Sequence, residues 1–165
     1  MKKLTEKQLL DRADKVISKL RQDLNDDDIP VKYQIGPRRD QIGGKFYQYI
    51  RLVKKTYIEM LLCHPDYYKK YPLLSWDADL KITYLHEYGH YWESRSLSKK
   101  QRIEDEKKYH KSNRYQGEAE EYAWDLAIYF TKKLRLHRNQ HIRKAYKEIG
   151  MEVDWKKKRK LNVRI

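Results

Sequence analysis

The residues best suited to chemistry in this chain lie in one string, His86-Glu87-Tyr88-Gly89-His90. Residues four apart share a helix face, so both imidazoles can reach one ion if the string is helical. Neutral imidazole is a good zinc ligand, and a third protein ligand would leave a fourth position for water. Bound zinc lowers the pKa of such a water to about 7. Glu87 projects beside the metal and can take the proton, as a catalytic base must. With only 6 histidines in the chain, a chance match to this spacing is rare. The neighbours Ile82, Leu85, Tyr88 and Trp92 read as packing residues of the same helix.

A third ligand is expected from a second helix. Glu118 opens the run Glu118-Ala119-Glu120-Glu121-Tyr122-Ala123-Trp124-Asp125. A carboxylate early in a helix, followed by small Ala119 and Ala123, would let that helix approach the metal-bearing one closely, so Glu118 is the expected ligand. Glu121 and Asp125 are alternatives on a neighbouring face, and His110 is a further one. Any of the acids could instead fix the tautomer of a ligand His, or simply complement the dipole of an exposed first turn. A developing oxyanion needs a donor beside the metal. Tyr88, Tyr91, His110, Tyr115 and Tyr122 are all eligible, and spacing does not choose among them. His137 and His141 are also four apart, but no Glu follows the first, so they read as solvated surface residues. Cys63 reads as a small residue filling a strand face.

The elements that must hold these groups follow from periodicity. Thr5 to Leu24 has a capping-box start at Thr5 and Gln8 and an apolar stripe of Leu9, Ala13, Val16, Ile17, Leu20 and Leu24. From Val31 to Cys63 the pattern alternates and is broken by glycine and proline, predicting two or three short antiparallel strands. The strand over Thr56 to Cys63 could offer an edge on which an extended peptide adds. His64 to Leu74 reads as a loop. Ser75 or Asp77 is expected to cap a helix running to about Ser96, with Asp79 in its first turn. Ser98 to Gln116 is either an exposed helix or a loop. Gly117 precedes a helix from Glu118 to about Leu136, and a last helix, Gln140 to Ile149, stops at Gly150.

Composition sets the outer bounds. At 165 residues the chain fits one domain, able to bury about two-thirds of its unfolded surface. The apolar fraction is low, and Tyr with 15 residues supplies much of it, which suits a thin core. The net charge of +14 draws in polyanions or acidic partners. A single cysteine excludes an intrachain disulfide and points to a reducing compartment, the cytoplasm. No apolar run reaches transmembrane length and the first ten residues are too polar for a signal peptide. The basic run Lys156-Lys157-Lys158-Arg159-Lys160 reads as a solubility tail or a phosphate-binding arm.

The string His86 to His90 with Gly89 in fourth place, then Glu118-Ala119-x-x-Tyr122-Ala123 after a polar gap, resembles the ImmA/IrrE family of small intracellular metallopeptidases. The likeness spans roughly Lys55 to Phe130. It implies a gluzincin-like site: two histidines from a first helix, a glutamate from a second, and a small sheet before them. It also implies cleavage of a repressor or regulator, often one carried by a phage or mobile element. Two family features are replaced here: the Arg-x-x-Phe approach to the first His by Leu80 to Leu85, and the Leu-Leu-x-Pro ending of the second helix.

The expectation is thus an α+β, zincin-like minimal metallopeptidase with an N-terminal helix, a small antiparallel sheet, the His-Glu-x-x-His helix and a second ligand helix. Residues 1–150 would form the domain and 151–165 a basic tail. The expected activity is zinc-dependent hydrolysis of peptide bonds in an intracellular protein. One alternative is a DNA-associated protease resembling the SprT-like group, which usually takes a His as third ligand. Another is a nucleic-acid or regulator-binding module stabilised by zinc. A closed structural site favours thiolates, which one cysteine cannot supply.

Overall fold

A computed structural model describes residues 4–26, 28–36, 42–47, 56–65 and 72–156. Among the described residues the architecture is α+β: five α-helices and a three-stranded sheet. Helix α1 (Glu6–Leu24) starts at the capping box of Thr5 and Gln8 and buries Leu9, Ala13, Ile17 and Leu20, the stripe expected from its periodicity. Strands β1 (Val31–Ile35), β2 (Gly43–Tyr47) and β3 (Tyr57–Leu62) follow.

The sheet is mixed, which corrects the expected antiparallel one. Its order is β1-β3-β2. β2 and β3 run antiparallel, pairing Gly43 with Leu61 through Tyr47 with Tyr57. β1 lies parallel to β3, from Val31 opposite Ile58 to Ile35 opposite Leu62. The physical reason is burial. β3 carries buried Ile58, Met60 and Leu62, the most apolar set of the three strands, so it takes the centre where both its edges are paired. Being central, β3 has no edge to offer a peptide, contrary to the reading of that strand from its sequence; the sheet edges belong to β1 and β2.

Helix α2 (Leu73–Ser94) begins inside the stretch read as a loop, at Pro72, without a side-chain cap. Neither expected cap acts as one. Asp77 instead receives both Nε and Nη2 of Arg12 at 2.9 and 2.7 Å, and Ser75 meets Nδ1 of His141 at 3.2 Å. Asp79 therefore falls in the second turn. The polar stretch after it is helical: α3 (Lys99–Lys111) carries a capping box of Ser98 and Gln101. Helix α4 (Asn113–Lys133) starts at Ser112, five residues earlier than expected, with Gly117 inside it. A 3-10 turn (Leu136–Arg138) leads to α5 (Gln140–Glu148), capped by Asn139.

α2 is buried on most sides, which explains why its sequence shows no clean apolar stripe. Trp76, Leu80, Tyr84, Leu85 and Tyr88 join α1, the sheet and α4 in the main core, while Ala78 and Ile82 join Ile128, Ile142, Ala145 and Tyr146 in a second cluster. Each large apolar side chain so buried contributes roughly 1.5–3 kcal/mol. Tyr88 donates its hydroxyl to Asp26 at 2.5 Å, tying the end of α1 to the middle of α2. Met151, Val153 and Trp155 pack against the second cluster, so the fold continues past Gly150 into the segment read as tail. Residues 157–165, with most of the basic run, lie outside the described residues, as do 48–50 and 66–71 of the expected strands and loop. No described helix is long and apolar enough to cross a membrane.

Candidate metal centre

α2 and α4 cross with almost no space between them. A Cβ on Gly89 would stand 2.7 Å from the carbonyl oxygen of Ala123 and 3.1 Å from its Cα. Backbone meets backbone there, which only a glycine on α2 and a small residue on α4 permit. His86 and His90 flank this contact from one side of α2. Ala123, Trp124 and Ala127 mark the face of α4 that answers it, and Glu120 lies one turn before them on that same face.

The carboxylate brought to the imidazoles is Glu120. Nε2 of His86 lies 3.0 Å from its Oε2, and Nε2 of His90 lies 3.4 Å from its Oε1. The three form a group that can hold a metal ion, with one ligand atom from each within 4.8 Å of the others. Glu118 is placed elsewhere. It points to the opposite side of α4 and accepts from Nε of Arg114 at 3.0 Å, both side chains being largely exposed. Because α4 starts at Asn113, Glu118 is not the first-turn residue its sequence context suggested. Glu121 is exposed and Asp125 half-buried, and neither belongs to the group. His110 is exposed on α3.

The site is firmly packed. The His86 ring stacks on Trp124 at 4.1 Å between centroids and meets His90 edge-on at 4.8 Å. Burial lowers the pKa of His86, holding it neutral, the form a metal ligand needs. Burial acts the same way on His90, but the hydrogen bond to Glu120 and the charges of Glu87, Glu120 and Glu93 outweigh it and raise its pKa. The two imidazoles hold the Glu120 carboxyl far below the usual range despite its burial, with help from Tyr109. Nδ1 of His86 is buried without a hydrogen-bond partner among the described residues.

Glu87 is 6% exposed and lies under β2. A Cβ on Gly44 would come within 2.7 Å of Cγ and 3.1 Å of Oε1 of Glu87, so the strand passes directly over this carboxylate. Tyr109 of α3 is a site residue that sequence reasoning missed. Its hydroxyl donates to Oε1 of Glu120 at 2.6 Å, and burial together with that bond pushes its pKa up to about 12. Nothing in the spacing marks Tyr109, because α3 buries no residue and shows no apolar periodicity. Of the tyrosines eligible as oxyanion donors, Tyr88 is spent on Asp26 and Tyr115 on Asp105. His137 and His141 are half-buried rather than solvated: His137 stacks on Trp155 at 5.9 Å. Cys63 is buried beside the end of β3.

The donor set of two imidazoles and one carboxylate could hold a metal ion, and its chemistry suits zinc among others. Two ligand atoms each about 2.1 Å from a tetrahedral zinc lie about 3.4 Å apart. The observed separations from Glu120, 3.0 and 3.4 Å, lie at or a little below that value, and all three ligand atoms lie within 4.8 Å of one another. Comparison of the chain with protein-family models, curated proteins and solved structures finds no match.

Proposed function

We propose that this protein is a zinc-dependent endopeptidase acting on a protein substrate, with His86, His90 and Glu120 as metal ligands and Glu87 as the base. The observation that carries this reading is the convergence of a His-His-Glu set from two helices with a buried glutamate roofed by a sheet-edge strand. Zinc bound there would polarise the scissile carbonyl and acidify a water.

The chain's own residues supply the rest. Glu87, buried and beside the imidazoles, takes the proton of the attacking water and returns it to the leaving amine, a contribution of about 10²–10⁴ in rate. Tyr109 orients the Glu120 carboxylate. The outer edge of β2, unpaired among the described residues, would receive an extended peptide by strand addition. Gly44 lets that strand lie close enough for the peptide to pass Glu87. The resemblance of the His86 to His90 motif to small intracellular metallopeptidases favours a repressor or other regulator as substrate, although the third ligand here is Glu120 rather than Glu118.

The test is zinc content by elemental analysis, with cleavage of an unstructured protein followed in parallel. One zinc per chain is expected in the wild type, lost in His86→Ala and Glu120→Ala and kept in Glu118→Ala and Glu87→Gln. Glu87→Gln is expected to lose at least about a hundredfold in cleavage rate. A zinc-free wild type, or full cleavage by Glu87→Gln, overturns the reading.

A further inference from the structure

The charge of this protein is segregated along α4. Apart from Arg114, the charged residues of α4 before Leu126 are acidic, Glu118, Glu120, Glu121 and Asp125, and no acidic residue follows until Glu148. In between stand Lys133, Arg135, Arg138, Arg143, Lys144 and Lys147, all exposed. They are carried by the end of α4, the 3-10 turn with its flanks, and α5. The 3-10 turn joins the end of α4 to α5, and Nη1 of Arg143 reaches back to donate to the carbonyl of His137 at 3.2 Å. Among the described residues only Lys144 of this set has an ion pair, with Glu148 at 3.5 Å.

Helix electrostatics do not account for the whole set. Lys133 and Lys147 sit in last turns, where positive charge is favoured. Arg138 and Arg143 flank the start of α5, where it is disfavoured. Arg135 adopts a left-handed backbone with φ 57°, a conformation that glycine or asparagine takes at lower cost. This is the position at which α4 ends, and the Arg135 amide donates to the carbonyl of Lys132 at 3.0 Å; the guanidinium itself is exposed and without an ion pair among the described residues.

We infer that this basic stretch docks double-stranded DNA through its phosphates. Guanidinium forks suit phosphate oxygens in pairs. The charges follow one another through the end of α4, the turn and α5, with exposed Glu152 and Asp154 beside Trp155 as the acids packed next to them, and such a spread of positive charge suits a row of phosphates better than a lone carboxylate. Trp155 is half-buried against His137, so among the described residues here it offers no open stacking platform for single-strand bases. At 1.5 Å per residue, Lys133 at the end of α4 lies about 20 Å along the helix from Glu120. The acidic end with the metal centre stays clear of the duplex, turned toward a neighbouring protein. That last consequence rests on the proposed peptidase activity, whereas the docking does not.

Fluorescence anisotropy of the full chain with a labelled duplex of about 20 base pairs, over a salt series, tests this. Arg135→Gln/Arg138→Gln/Arg143→Gln is expected to weaken binding more than about tenfold and to reduce the slope of log K against log salt by about 2–3. The charge-matched Lys99→Gln/Lys100→Gln/Lys108→Gln on α3 is expected to change affinity by less than about threefold. Circular dichroism melts establish that both variants fold. Equal losses in the two variants, an unaffected arginine variant, or no duplex binding by wild type at about 100 mM salt overturns the inference. So does poly-glutamate binding as tightly as the duplex, which would mark a surface for acidic proteins.

Discussion

At the scale of single residues, the centre depends on which atoms meet Glu120. Two imidazole nitrogens and one phenol converge on its carboxylate, so its orientation is determined from three sides. Partners that orient a metal ligand are typically worth 10–100-fold in metal affinity. Tyr109→Phe is therefore expected to weaken zinc binding by about that factor while leaving the fold intact. Competition with a chromophoric chelator measures it. An unchanged zinc affinity would mean that the hydroxyl merely covers the site.

At the scale of elements, the contact of α2 with α4 decides whether the ligands can meet. Gly89→Ala would force a methyl group into the Ala123 backbone, an overpacking expected to cost about 1–3 kcal/mol in denaturant melts and to weaken zinc binding. Gly117, inside α4, has nothing within 4 Å of its Cβ direction. There Gly117→Ala is expected to add up to about 1 kcal/mol through helix propensity. The packing of α2 on α5 leaves its own mark in Asp79. Burial first, and then the charge of Glu148, raise its pKa to about 6 from 3.8, with Lys144 opposing. The folded state thus keeps a proton that the unfolded chain releases, so stability falls as pH rises from about 4 to about 6. Asp79→Asn is expected to melt a few degrees higher than wild type at pH 7 and at the same temperature below pH 4. A gain of equal size at both pH values would contradict this assignment.

At the scale of the whole molecule, the metal centre would act as a clamp. Its ligands lie on α2, the central helix, and on α4, which links the main core to the second cluster. An ion bound only by the folded state stabilises it by mass action, by about 4 kcal/mol at a thousandfold excess over its dissociation constant. Chelation of the zinc-loaded protein is expected to lower its melting temperature accordingly, and the shift should vanish in His90→Ala. A chelator-insensitive melt of protein shown to hold zinc would mean that packing alone sets the geometry.

The sequence by itself determined the local features. The capping box and the apolar stripe of α1 and the stop of α5 rest on neighbours within one or two turns, and such interactions are written in spacing. The pairing of His86 with His90 and the place of Glu87 beside them are local too, fixed by one helical turn. What tertiary structure alone decided is whatever depends on the meeting of distant segments. Glu118 and Glu120 differ by two residues, and so by more than half a turn of helix; which of them faces α2 depends on how α4 is rotated in the core. The signal was present in small Gly89, Ala123 and Ala127, whose shared stripe leads back to Glu120, but reading it requires knowing that those glycine and alanine faces touch. Strand order is of the same kind, since β3 becomes central through the total burial of its face and not through any residue within it. Tyr109 lies on a helix with no apolar periodicity, and only the packing of α3 beside α4 brings its hydroxyl to the site.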